Sequence, residues 1–191
     1  EVKGYVGYGI GFQIISQPIQ FVIKNLLETN KNLDQYGAKL LSKHFVVFLF
    51  FFVSGIFFYL ILKKIIDNEN FSSLGTIIYL TYPYLFGQAM FSPKDIPFMS
   101  VWLICTYFSL ILFESLSDKK KISFKFVIIF SISTAYLLSI RIAGLLIFIQ
   151  YIITFFIFLN TYKFEFKKFL KEYYFHLILF IFLFLLFLFL F

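Results

Sequence analysis

From Phe126 to Leu159 the chain runs for 34 residues with a single charged side chain, Arg141. As one helix this stretch would be about 51 Å long at 1.5 Å per residue, against a bilayer hydrocarbon core of about 30 Å. It must therefore break. Arg141, followed by Gly144 in "SIRIAGLL", marks the place, and divides the stretch into spans at 124–140 and 142–160.

Other apolar runs have the length of a spanning helix, roughly 17–25 residues. One covers 44–62 and ends at Lys63-Lys64. A second, 71–89, is more polar and carries Gly75, Thr76, Pro83, Gly87 and Gln88. Pro83 is expected to kink it, which a membrane tolerates only where protein or water satisfies the freed backbone groups. Runs at 96–116 and 174–191 complete the set. Only 14% of the residues are charged and 61% are hydrophobic, whereas a soluble domain carries about 25% charged residues. The expected fold is an all-α polytopic transmembrane bundle of about six spans, one domain over 44–191. Residues 1–43 are expected to form an extracytoplasmic or interfacial arm. In "QPIQFVIKNLLE" the stripe Ile19, Val22, Ile23, Leu26 and Leu27 predicts an amphipathic helix lying at the membrane interface. The chain starts at Glu1 and stops inside an apolar run; it is expected to be a piece of a longer membrane protein, truncated at both ends.

The net charge of +7 would point to nucleic acid in a soluble protein. Here the lysines fall between apolar segments and act as topology determinants instead. Alternate loops hold Lys63 and Lys64, then Lys119, Lys120, Lys121 and Lys125, then Lys163, Lys167, Lys168 and Lys171. The other side holds Lys94, Arg141 and the N-terminal arm. By the positive-inside rule the lysine-rich loops are cytoplasmic, and "SPKDIP" (92–97) shares the non-cytoplasmic face with Arg141.

Few residues carry chemistry. Cys105 lies within an apolar run and reads as an inert buried thiol. His44 and His176 stand alone, without a second ligand at helical spacing, and read as hydrogen-bonded interfacial residues. The glycine-rich "GYVGYGIGF" lacks the strand a dinucleotide loop needs, and reads as a tyrosine-rich interfacial loop. "SPKD" (92–95) suits a type I turn, with Asp95 near the cap of the next helix and Pro97 in its first turn. Ionisable groups beside a span also form a functional hypothesis, and a carboxylate can cap a helix while facing a cavity. Arg141 is either a snorkelling anchor or an anion clamp able to bind phosphate bidentately, with Lys94 as a second positive charge.

The phrase "FGQAMFSPKDIPFM" (86–99), with "AYLLSIRIAGLL" (135–146) downstream, resembles the polytopic GT-C glycosyltransferases. It is similar above all to bacterial membrane proteins related to dolichyl-phosphate-mannose protein mannosyltransferases, which commonly carry "FGH-x-x-x-NPKD-x-PF". Upstream, "YGIGFQ" and "LDQYGAKLLSKHF" resemble the first external loop of that family. Gln88 and Ser92 stand where His and Asn are usual. The resemblance implies transfer of a hexosyl or pentosyl group from a polyprenyl-phosphate-linked sugar to an acceptor, on the non-cytoplasmic face of a bacterial inner membrane. It implies Asp95 as the catalytic acidic residue of the later external loop, positioning the donor or binding a divalent cation (Mg or Mn). Lys94, Arg141, Gln88 and Tyr8 would bind substrate, and the general base would lie upstream of Glu1. Two other readings remain: a polytopic transporter or lipid flippase gated by Asp95 and Arg141, or a structural membrane subunit in which "SPKD" is only a turn.

Overall fold

The structure, a computed structural model, describes residues 10–28, 34–118, 120–162 and 166–191. Tyr8, most of the glycine-rich stretch, Lys119 and Lys163 lie outside the described residues, as do the side chains of Lys167 and Lys168. Among the described residues the secondary structure is entirely helical. The order is α1 (Gly11–Glu28), α2 (Gln35–Ile66), α3 (Glu69–Thr81), α4 (Pro83–Phe91), α5 (Asp95–Ser117), α6 (Phe124–Ile140), a 3-10 turn (Ile142–Leu145), α7 (Leu146–Thr161) and α8 (Phe166–Leu190).

Four helical segments are long and apolar enough to cross a bilayer: Gln35–Ile66, Asp95–Ser117, Ile142–Thr161 and Tyr173–Leu190. Phe124–Ile140 is a shorter apolar helix. These lengths and compositions fit an integral membrane protein. The expected continuous span at 71–89 is not formed. Tyr82 is extended (φ −60°, ψ 117°) and Pro83 opens α4 as its first residue. Pro83 has no N–H to give Tyr79, and its ring disfavours a helical residue before it. The Tyr79 carbonyl accepts from the Tyr82 N–H instead, at 3.4 Å. The result is two short helices rather than one kinked span.

Two other boundaries differ from the sequence reading. Helix α2 starts nine residues before position 44, because the Asp34 carboxylate accepts from the Gly37 N–H at 2.8 Å and caps a new N-terminus. At 32 residues it is about 48 Å long, more than the hydrocarbon core requires. Helix α1 begins at Gly11 and carries Pro18 inside rather than at its start. Its Ile19 and Ile23 pack on the core around Val46, Val47 and Phe51, while Val22 and Leu26 remain exposed.

The packing is compatible with helices in lipid. Large apolar side chains face outward, such as Ile149, Phe156 and Phe182. The buried polar side chains include Ser54, Ser100, Ser131 and Thr134. Small residues at helix contacts let backbones approach closely, which is what drives association when the solvent is itself apolar. Each of these four hydroxyls donates to a carbonyl in the preceding turn: Ser54 to Phe51 O at 2.6 Å, Ser100 to Ile96 O at 2.7 Å, Ser131 to Val127 O at 2.7 Å and Thr134 to Phe130 O at 2.9 Å. None of the four protons is left unpaired in the low-dielectric interior. A Cβ on Gly55 would stand 2.7 Å from Leu80, and one on Gly75 would stand 2.6 Å from Leu62, so α2 and α3 touch through their glycines.

The two ends of the bundle are told apart by the helix termini they hold. Lys64 of α2 pairs with Glu114 at the C-terminal end of α5, and Lys63 pairs with Glu69 at 2.5 Å. His176, near the start of the apolar part of α8, is hydrogen-bonded to the Ile122 carbonyl before α6 at 3.1 Å. The α2–α3 and α5–α6 connections and the part of α8 around His176 therefore share one end. The opposite end holds the start of α5, the start of α2 with the exposed Lys39 and Lys43, the end of α6 and the start of α1, where a Cβ on Gly11 would lie 2.9 Å from the Ser139 backbone.

Candidate functional site

The end that holds the start of α5 brings together two of the residues singled out in the sequence. The Arg141 guanidinium forms an ion pair with the Asp95 carboxylate, joining positions 46 residues apart. Each is placed by a helix terminus. Asp95 is the first residue of α5, not its cap; Lys94 occupies the cap position and makes no side-chain capping bond. Asp95 still adds a negative charge at the positive end of the helix dipole. Arg141 is the residue at which α6 stops: its backbone is extended (φ −151°, ψ 138°) and the 3-10 turn follows at once. Gly144 in that turn sits over the end of α6, where a Cβ would lie 3.1 Å from the Leu137 backbone.

Ser92 completes the arrangement. Its hydroxyl donates to the second Asp95 oxygen at 3.0 Å and accepts from the Asp95 N–H at 3.4 Å. This reciprocal pair fixes the turn between α4 and α5, and Ser92 is buried while Asp95 remains exposed. The Arg141 guanidinium also lies over the Phe98 ring, 5.8 Å from its centroid, one turn along α5. Arg141 is thus oriented by a carboxylate on one side and an aromatic face below. A guanidinium has five N–H donors, so pairing with Asp95 leaves donors able to meet an anion.

Lys94 is exposed at the same turn, and Gln88 is half-buried in α4, where its backbone carbonyl accepts from the Ser92 N–H at 2.8 Å. Tyr8 lies outside the described residues. Asp95 does not assemble a divalent-cation site with its described neighbours. One of its oxygens faces a guanidinium and the other a hydroxyl that donates to it, and no group of three His, Cys, Asp or Glu side chains gathers among the described residues. A hard cation needs several oxygen ligands, which the described neighbours of Asp95 do not supply. Cys105 is fully buried with a free thiol, and His44 lies well inside α2 rather than at its start.

Residues not singled out in the sequence extend the site down the bundle. The Phe98 ring packs edge-on against Trp102 with centroids 5.6 Å apart. The Trp102 indole N–H donates to Gln150 Oε1 at 2.8 Å, and Gln150 Nε2 donates to Thr106 Oγ1 at 3.0 Å. A polar ladder therefore links α5 and α7 inside apolar surroundings. Trp102, Gln150, Leu146, Ile149, Ile153 and Thr154 line an open groove of about 400 Å³ beside it. The signal was present in the sequence: Gln150 is a lone amide in the apolar run "LLIFIQYIITFF", and such a group inside a membrane needs partners. Which residues supply them depends on the packing of α5 against α7.

No family model matches the chain, and no curated protein or solved structure matches it significantly.

Proposed function

We propose that the chain is part of a membrane glycosyltransferase that moves a sugar from a polyprenyl-phosphate donor to an acceptor at the non-cytoplasmic face. The observation that carries this reading is the meeting of Asp95 and Arg141 at the end of the bundle opposite Lys64 and Glu114, with Lys94 on the same turn. Arg141 receives the donor phosphate with the guanidinium donors that Asp95 leaves open, and Lys94 adds a second positive charge. As the acceptor oxygen bonds to the anomeric carbon, the bond from that carbon to the phosphate oxygen breaks. The electron pair leaves with the phosphate, and the acceptor proton passes to a base on the protein. Charge grows on the phosphate in the transition state, where a preoriented cation stabilises it. Asp95 and Ser92 hold Arg141 in place for that step. The groove beside Trp102 and Gln150 lies further along α5, against α7, and has the apolar lining an isoprenoid chain requires.

The full-length protein, assayed for transfer from polyprenyl-phosphate sugars, tests the reading. Removing a single electrostatic stabiliser costs about 100–1,000-fold in rate. Arg141→Gln and Asp95→Asn are expected to lose activity on that scale while remaining folded. Wild-type rates in both variants would remove the pair from catalysis.

One observation favours a purely structural reading. The two side chains satisfy each other, and the pair ties the start of α5 to the end of α6. If that is all it does, both substitutions will alter stability and leave transfer unchanged. The side chains of Arg141 and Asp95 are 36% and 61% exposed, so the stability effect of so solvated a pair is at most about 1 kcal/mol.

A further inference from the structure

At the end of the bundle that holds Lys64 and Glu114, α5, α6, α7 and α8 line a half-open cavity of about 310 Å³. This is the lower end of the range of ligand pockets, about 300–1,000 Å³. Its walls are apolar and largely aromatic, among them Leu112, Val127, Phe130 and Phe180. Two observations specify what fits there. The first is His176, which lines the cavity. Its Nε2 is engaged with the Ile122 carbonyl at 3.1 Å, whereas its Nδ1 is buried without a partner among the described residues. A buried ring nitrogen without a hydrogen bond is unfavourable, and calls for a group that the described protein atoms do not supply.

The second observation is charge. Lys121 and Lys125 flank the start of α6 and Lys171 lies in the first turns of α8; all three are exposed. The described acids nearby do not neutralise them: Glu114 is paired with Lys64 and Asp118 with Lys120 at 2.7 Å. Among the described residues Lys121, Lys125 and Lys171 enter no ion pair. An apolar chamber lined in part by His176, whose lining residues Ile122, Phe126 and Tyr173 stand within two positions of Lys121, Lys125 and Lys171 in the chain, matches an amphiphile with an anionic head.

We propose that this cavity is a binding site for an anionic glycerophospholipid. An acyl chain fills the chamber, the phosphate lies among Lys121, Lys125 and Lys171, and a polar group of the lipid head or its glycerol meets His176 Nδ1. The site is at the opposite end of the bundle from Asp95 and Arg141, and does not depend on the function proposed for them.

The full chain, purified in detergent and exchanged into defined lipid, allows a direct test by native mass spectrometry. Phosphatidylglycerol and phosphatidylcholine with identical acyl chains serve as probes. Each lysine near an anionic headgroup contributes about 1 kcal/mol, so three lysines give a preference for phosphatidylglycerol of at least about tenfold. The triple substitution Lys121→Gln, Lys125→Gln, Lys171→Gln is expected to abolish the preference while some binding of both lipids remains. Leu112→Trp, which fills the chamber, is expected to remove retained lipid of either kind. Because a tryptophan there could disturb folding, wild-type protein is also photolabelled with a phosphatidylglycerol carrying a diazirine near the end of one chain. Adducts on the segments containing Phe126–Phe130 and Leu177–Phe180 are expected. Equal retention of the two lipids, unchanged retention in folded Leu112→Trp, or adducts confined to other segments would each overturn the proposal.

Discussion

Gln150→Leu should show how strongly the polar ladder holds α5 to α7. The substitution keeps the approximate size of the side chain and removes both of its hydrogen bonds, the one accepted from Trp102 at 2.8 Å and the one donated to Thr106 at 3.0 Å. The two losses are unequal. The Thr106 hydroxyl still donates to the Trp102 carbonyl at 2.9 Å, so only one of its acceptor contacts disappears. The Trp102 indole N–H is left without its acceptor in an apolar setting. Hydrogen bonds between membrane helices average about 0.6 kcal/mol and reach about 1.7 kcal/mol, and a stranded buried donor costs about 1–3 kcal/mol. The expected destabilisation is about 1–2.5 kcal/mol. A cycle with Trp102→Phe isolates the pair, because neither single substitution offers the remaining partner a new hydrogen bond. The coupling should be about 0.6–1.7 kcal/mol. Reversible unfolding in mixed micelles, followed by far-ultraviolet circular dichroism, measures all four proteins. Trp102 is the only tryptophan, so its emission in wild type and Gln150→Leu reports the loss of the hydrogen bond independently. Additivity within about 0.3 kcal/mol, with native helicity in each variant, would show that the two side chains do not meet and would refute the α5–α7 register.

Three further outcomes follow from the packing. Gly11→Ala drives a Cβ into Ser139 Oγ and places it 2.9 Å from the Ser139 backbone carbonyl carbon; backbone must move, at about 1–3 kcal/mol, and α1 amides should exchange faster while α5–α7 amides do not. Lys63 beside Glu69, first by hydrogen bonding and then by charge, holds the Glu69 carboxyl below its ordinary value of 4.5. That contribution to the α2–α3 contact is therefore present above pH 4.5 and is lost as the pH falls through the lower folded value; carboxyl NMR titration should show the depressed value, and Lys63→Gln should return it to normal. Cys105 is fully buried, so maleimide should label it only after unfolding, and rapid labelling of the folded protein would contradict the α5–α6 packing.

The structure departs from the sequence reading where local signals competed. Proline illustrates this in both directions. Pro83 separates α3 from α4, because Tyr82 takes the extended backbone that a following proline favours. Pro18 sits inside α1, whose apolar side chains are held against α2 by Phe12, Ile19 and Ile23. The same residue type ends one helix and is accommodated in another, and the difference lies in the tertiary contacts available to offset one missing hydrogen bond. The early start of α2 was legible in principle, since Asp34 three residues before Gly37 is an ordinary capping pattern; the apolar count that placed the span at 44 does not register capping.

The residue order by itself determined that the chain is helical and apolar enough for a bilayer, and that the stretch from Phe126 to Leu159 could not be one helix. Those conclusions rest on composition, length and rise per residue, which are local quantities. It also marked Asp95 and Arg141 as charges that require explanation. Only the tertiary structure decided that they face each other, that Ser92 and Phe98 hold them, and that Trp102, Thr106 and Gln150 form a ladder beneath. Positions 46 or 48 residues apart meet through helix packing, and packing is set by how small residues let backbones approach. That shape information is distributed over every helix contact at once, so no single segment of sequence carries it.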